Sequence, residues 1–157
     1  MLKLCGALLI FFCGVSGACI LNNRARAALD QTEGFIELVR RLRSDMDCFS
    51  KTIPAALMSC PDSVFEKCRI DLQTRRRRVE DLLLCCDIYS SELREIMEGF
   101  ATRVGRGYKS EQIALCDMTL SRLDEHRIYL AGRLPAKQKI NGTLCLCGAL
   151  AVVILIV

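Results

Sequence analysis

Cys85-Cys86 and Cys145-Leu146-Cys147 are the pairs whose residue types and spacing could do chemistry. Neighbouring thiols can ligate a soft metal or exchange electrons, provided one of them ionises near neutral pH. Neither pair has the two-residue spacer of a Cys-x-x-Cys motif or a histidine close by, so packing accounts for both better than reactivity does. His126 is the single histidine, too little for a zinc cluster or a nucleophile–base–acid triad. It stands in the charged run Asp124-Glu125-His126-Arg127, which reads as a solvated helix face. Gly105-Arg106-Gly107 lacks the third glycine of a phosphate-binding loop and the strand that would precede one. The carboxylates are scattered, with no pair placed for acid–base work. The expectation is a protein that is not an enzyme, with no catalytic residue, no cofactor, no metal and no small-molecule substrate.

Contact is the chemistry that remains. Arg75, Arg76, Arg77 and Arg78 form the sharpest charged feature, four guanidinium groups able to grip an acidic protein surface or anionic lipid heads. Glu80 and Asp81 follow and offset part of that charge, as they would on a solvated turn. Gly105, Arg106, Gly107, Tyr108 and Lys109 form a second candidate contact, a loop between helical patterns. Nucleic acid is not an expected partner, because the central region carries a net charge of only about +3 and no aromatics interleave its arginines.

The elements that hold these groups begin with two apolar ends. Residues 4–21 and residues 140–157 contain no charged side chain, while all 18 acidic residues and every basic one except Lys3 lie between them. At about 1.5 Å rise per residue, 18 residues make a helix of roughly 27 Å, close to the hydrocarbon thickness of a bilayer. A cleaved export signal ending near Cys19 is the competing reading, but Ile20 and Leu21 carry the apolar run onward. The second stretch has an unbroken apolar core only from Leu144, so Asn141, Gly142 and Thr143 belong at the interface and tilt or thinning covers the shortfall. The expected organisation is a transmembrane anchor over residues 1–21, a helical soluble domain over residues 22–139, and a second transmembrane anchor over residues 140–157. Arg24, Arg26, Arg133, Lys137 and Lys139 flank the two spans on their inner sides, which places the central domain in the cytoplasm.

Five of the eleven cysteines (Cys5, Cys13, Cys19, Cys145, Cys147) fall in the anchors, where cysteine behaves as a small apolar residue. The others (Cys48, Cys60, Cys68, Cys85, Cys86, Cys116) fall largely in helical patterns, and a reducing cytoplasm keeps them as free thiols. Asn141-Gly142-Thr143 matches a glycosylation acceptor but would sit at the surface of the membrane on the wrong side for modification.

The central region reads as all-α, a bundle of about five helices. Phe35, Val39, Leu42, Met46, Phe49 and Ile53 recur in alternating steps of four and three, the seam of a long helix packed on another. Ile113, Cys116, Leu120, Leu123, Arg127, Leu130 and Leu134 repeat that rhythm with one charged interruption. Pro54 after Thr52-Ile53, and Pro61 after Cys60, each mark a break and restart. Ser90-Ser91 offers caps for a helix bearing Leu93, Ile96, Met97, Phe100 and Val104, and Ser110 offers a cap for the last long helix.

The opening Met1-Leu-Lys-Leu-Cys-Gly-Ala-Leu-Leu-Ile10, the break Thr52-Ile-Pro-Ala-Ala-Leu57, the stretch from Gly105 to Gln112, and the closing Leu134-Pro-Ala-Lys-Gln-Lys-Ile140 together resemble the stage III sporulation protein AB family over the whole length. That resemblance implies a membrane platform subunit of the secretion-like channel complex linking mother cell and forespore. The family's helical domain is similar to the cytoplasmic domains of type II secretion inner-membrane platform proteins. The implied partners are a cytoplasmic assembly ATPase of the same sporulation operon, other membrane subunits and the lipid bilayer. The implied location is the mother-cell membrane around the forespore, and no individual binding residue is carried over. Two other functions are open to the residues: an exported, membrane-anchored structural protein with disulfides, and a membrane thiol enzyme using Cys85-Cys86.

Overall fold

Among the described residues, two long helices and the short ones between them make up the fold. The structure, a computed structural model, describes residues 2–71 and 86–156. Helix α1 runs Leu2–Phe49, α2 Ile53–Ser59, α3 Asp62–Cys68, α4 Ser91–Ala101 and α5 Lys109–Ile156. No strand occurs among the described residues, and the all-α fold expected from the periodicity is the one the chain adopts.

The chain divides into two compact units. One comprises Met1–Ala27 and Leu130–Val157, where the outer halves of α1 and α5 lie side by side. Within it the Asn141 side chain donates to Asn22 Oδ1 at 3.4 Å. Among the described residues no helix is long and apolar enough to cross a membrane. The spans expected over residues 4–21 and 140–157 therefore rest on the sequence pattern.

The second unit, Ala28–Tyr129, holds the hydrophobic core. Phe35, Val39, Leu42 and Met46 of α1 are buried in the order the seam predicts. The seam's next residue, Phe49, is instead 67% exposed, because α1 stops there. Ser50 takes a left-handed conformation (φ 49°), and the Lys51 N–H turns back to the Asp45 carbonyl at 3.2 Å. The break thus precedes Ile53, which opens α2 with Pro54 in its first turn and packs against the core. Ser59 and Lys51 both reach Asp45 Oδ2, at 2.9 and 3.3 Å, and fix the turn.

Helix α3 crosses α1 closely at Gly34. A β-carbon there would stand 2.9 Å from Lys67 Cβ and 3.0 Å from the backbone of Lys67 and Cys68, so only glycine permits this approach. Ser90 caps α4 as expected, accepting from the Leu93 N–H at 3.4 Å, and Leu93, Ile96, Met97 and Phe100 point inward. On α5 the buried stripe is Gln112, Leu115, Cys116, Thr119, Leu123 and His126, rotated from the expected seam although Cys116 and Leu123 belong to both. Two of its polar residues are bonded close by in sequence: the Thr119 hydroxyl donates to the Leu115 carbonyl at 2.8 Å, and Gln112 bonds the loop that precedes the helix.

Candidate functional site

The loop between α4 and α5 is shaped by two glycines in left-handed conformations, Gly105 (φ 83°) and Gly107 (φ 98°). Side chains are disfavoured there, so the type of residue follows from the path of the chain. Gln112, buried on the first turns of α5, ties the loop down. Its Oε1 accepts from the Gly105 N–H at 2.8 Å, and its Nε2 donates to the Arg106 carbonyl. The start of α5 is capped from Glu111, whose carboxylate accepts from the Tyr108 N–H at 3.0 Å. This is one half of a capping box. Ser110, expected as the cap, lies inside the first turn of the helix.

The loop's side chains divide into two groups. Tyr108 is 79% exposed and projects beyond the core. Lys109 faces inward across the loop: its Nζ donates to the Asp47 carbonyl at 2.9 Å and to Ser50 Oγ at 3.2 Å. A cation over the last turn of α1 satisfies open carbonyls and suits the negative end of the helix dipole. Lys109 is therefore a brace between α1 and α5. Beside it opens a groove of about 500 Å³ whose walls include Met46, Ile53, Pro54, Gly105 and Lys109. Exposed Phe49, with Lys51 Nζ 5.2 Å above its ring, and Tyr108 belong to the same end of the unit.

The other candidate, Arg75 to Arg78, lies outside the described residues, as does Cys85. The residues on either side of that segment are held by a side chain that belongs to none of the sequence motifs. Gln31, 1% exposed on α1, donates through Nε2 to the Cys68 carbonyl at 3.1 Å and to the Asp87 carbonyl at 2.9 Å. Its Oε1 accepts from the Tyr89 N–H at 3.1 Å. Arg69 adds a second tie, its guanidinium 4.8 Å from the Tyr89 ring centroid. The signal was present in the sequence: Gln31 stands four residues before Phe35, a polar residue on the backward extension of an apolar seam.

The thiols are built for packing. Cys13, Cys19, Cys48, Cys60, Cys68, Cys86, Cys116 and Cys147 are free. Cys86 Sγ donates to the Cys68 carbonyl at 2.9 Å, and burial pushes its thiol up to about 11. Burial pushes Cys116 to about 11 as well, and Cys68 higher still. A nucleophilic thiol needs a shift in the opposite direction. His126 is a correction to the sequence reading: it is 3% exposed, with Nδ1 3.0 Å from Glu92 Oε2 on α4 and Nε2 buried without a partner. The charged neighbours of His126 in sequence point elsewhere on the helix, while the histidine itself falls on the inner stripe. Among the described residues no three metal-ligating side chains converge.

A family model described as stage III sporulation protein AB matches residues 3–157. Neither the comparison with curated proteins nor that with solved structures gives a match. The chain belongs to the stage III sporulation protein AB family.

Proposed function

We propose that this protein is a non-enzymatic platform subunit of the secretion-like complex in the mother-cell membrane around the forespore. The full-length family match carries the reading. In it, residues 4–21 and 140–157 span the bilayer and the helical unit faces the cytoplasm, where it docks the assembly ATPase of the operon and other membrane subunits. The basic residues flanking the apolar ends support that orientation. Burial and a raised pKa at Cys86 favour a structural role for that thiol over the thiol-enzyme reading. The contact surfaces are Arg75 to Arg78 and the end of the unit that presents Phe49, Tyr108 and the groove between α1 and the glycine loop.

Cys48 is exposed while Cys60, Cys68, Cys86 and Cys116 are buried, so Cys48 is the reporter for topology. A membrane-impermeant thiol reagent should label Cys48 only after cells are permeabilised. Labelling in intact cells would invert the domain and remove the ATPase as a direct partner. Replacing Arg75 to Arg78 together with alanine, and separately Tyr108→Ala, should weaken pull-down of the ATPase without loss of helical circular dichroism. Unchanged pull-down by both would exclude these contacts.

A further inference from the structure

A second surface lies away from the glycine loop. Glu33, Glu37, Arg40 and Arg41 of α1, Lys67 of α3 and Arg127 of α5 line a groove of about 630 Å³, with buried Ile36 among its lining residues. Its charges are unequal and unequally satisfied. Glu37 serves two cations, Arg41 at 3.0 Å and Lys67 at 3.5 Å. The hydrogen bond from Arg41, with Lys67 adding to it, holds the Glu37 carboxyl below the usual range. Arg127 is tied to Asp124 at 3.3 Å in an exposed i,i+3 pair, a contact that contributes little and exchanges readily. Arg40 is exposed and has no ion-pair partner among the described residues. Four cations therefore share a concave surface with two carboxylates, one of them already engaged twice.

We propose that this groove docks an acidic helical segment of a partner protein, whose carboxylates pair with Arg40 and Arg127. The mixed lining favours a protein over a membrane. A flat anionic lipid surface would meet Glu33 and Glu37 as well as the arginines, whereas a helix can set carboxylates against the arginines and a cation or neutral residue against Glu33. Complementarity of that kind gives specificity and steers association. The inference does not depend on the membrane topology or on the ATPase contact proposed above, since all six lining charges belong to the unit Ala28–Tyr129.

The test uses the full chain in nanodiscs of zwitterionic lipid and a fluorescein-labelled helical peptide with glutamates at spacings of three and four in an alanine background. Fluorescence anisotropy at low ionic strength should show saturable binding that weakens at about 0.3 M salt. The double variant Arg40→Glu/Arg127→Glu should bind at least about tenfold more weakly. Arg122→Glu, about 140° around α5 from Arg127, should leave the affinity within about twofold. Because Arg40 and Arg122 are exposed and Arg127 is partly exposed in a surface ion pair, circular dichroism should be unchanged in both proteins. An unchanged affinity in the double variant overturns the proposal, as does an equal loss with Arg122→Glu, which would mean net charge alone. Capture of phosphatidylglycerol vesicles that depends on Arg40 and Arg127, without peptide binding, overturns it in favour of a lipid site.

Discussion

Replacing Gln31 by leucine tests whether one buried amide holds the two flanks of residues 72–85. Leucine is close to glutamine in volume, so the substitution removes polarity and leaves packing nearly intact. The Cys68 carbonyl keeps the Cys86 thiol as a donor, but the Asp87 carbonyl and the Tyr89 N–H lose the partner shown for each. Each group left unsatisfied costs about 1–3 kcal/mol, and burying leucine where glutamine stood returns part of that. The net is a loss of about 2–3 kcal/mol, felt first where residues 68–70 and 86–89 meet α1. Cys68 and Cys86 are buried there and report opening directly. When reclosing is faster than alkylation, labelling tracks the open population, so the loss converts to roughly 30- to 150-fold faster modification of both thiols. Site-resolved mass spectrometry reads each cysteine separately, with Cys116 on α5 distinguishing local opening from global unfolding. Acceleration of less than about threefold at both Cys68 and Cys86 would refute the assignment of Gln31 as the clamp.

Gly34→Ala should destabilise the helical unit by about 1–3 kcal/mol, because the new methyl group meets the backbone of Lys67 and Cys68 and drives α3 from α1; faster labelling of Cys68 checks it. The thiols of Cys86 and Cys116 have folded pKa values raised to about 11 from the ordinary 9.0, so their contribution is intact below about pH 9 and is lost as pH climbs toward 11. Thermal melts between those values should fall steeply, by about 2 kcal/mol per thiol, and Cys86→Ala should flatten the decline. His126→Leu should be neutral or stabilising by about 1 kcal/mol in chemical denaturation, since Glu92 is exposed enough to rehydrate while the buried, unpartnered Nε2 disappears.

The features legible in the sequence were those with a local cause. The period that places Phe35, Val39, Leu42 and Met46 inside, the Ser90 cap of α4, and the glycines that permit positive φ at positions 105 and 107 are each decided within a few residues. The features that escaped depend on partners far along the chain. His126 sits among charged neighbours, and its partner Glu92 is 34 residues away. Gln31 gains its meaning only from residues 37 to 58 positions later. Ser110 was expected to cap α5, but the helix begins one residue earlier at Lys109, which puts Ser110 inside the first turn and leaves the Tyr108 N–H to the Glu111 carboxylate. Of the candidate contacts, the glycine loop was located correctly as a loop between helices, but Lys109 could not be recognised as a brace without knowing where α1 ends.

Helix α1 also explains why the core and the charged groove can be tested apart. Successive residues turn by about 100°, so Gln31, Phe35, Val39 and Leu42 share one face, while Glu33, Glu37, Arg40 and Ser44 share another. The first set is buried in the core or clamps residues 68–70 and 86–89, and the second lines the groove. Gly34 lies between them and sets how closely α3, with Lys67, approaches both. Charge reversal at Arg40 therefore leaves the Gln31 bonds untouched, and Cys68 labelling should stay within about twofold of the unaltered protein. Gly34→Ala, by moving Lys67, should alter both readouts. A protein in which Arg40→Glu accelerated Cys68 labelling as strongly as Gln31→Leu would show the groove charges to be part of the fold's stability, and the separation of docking face from core along α1 would fail.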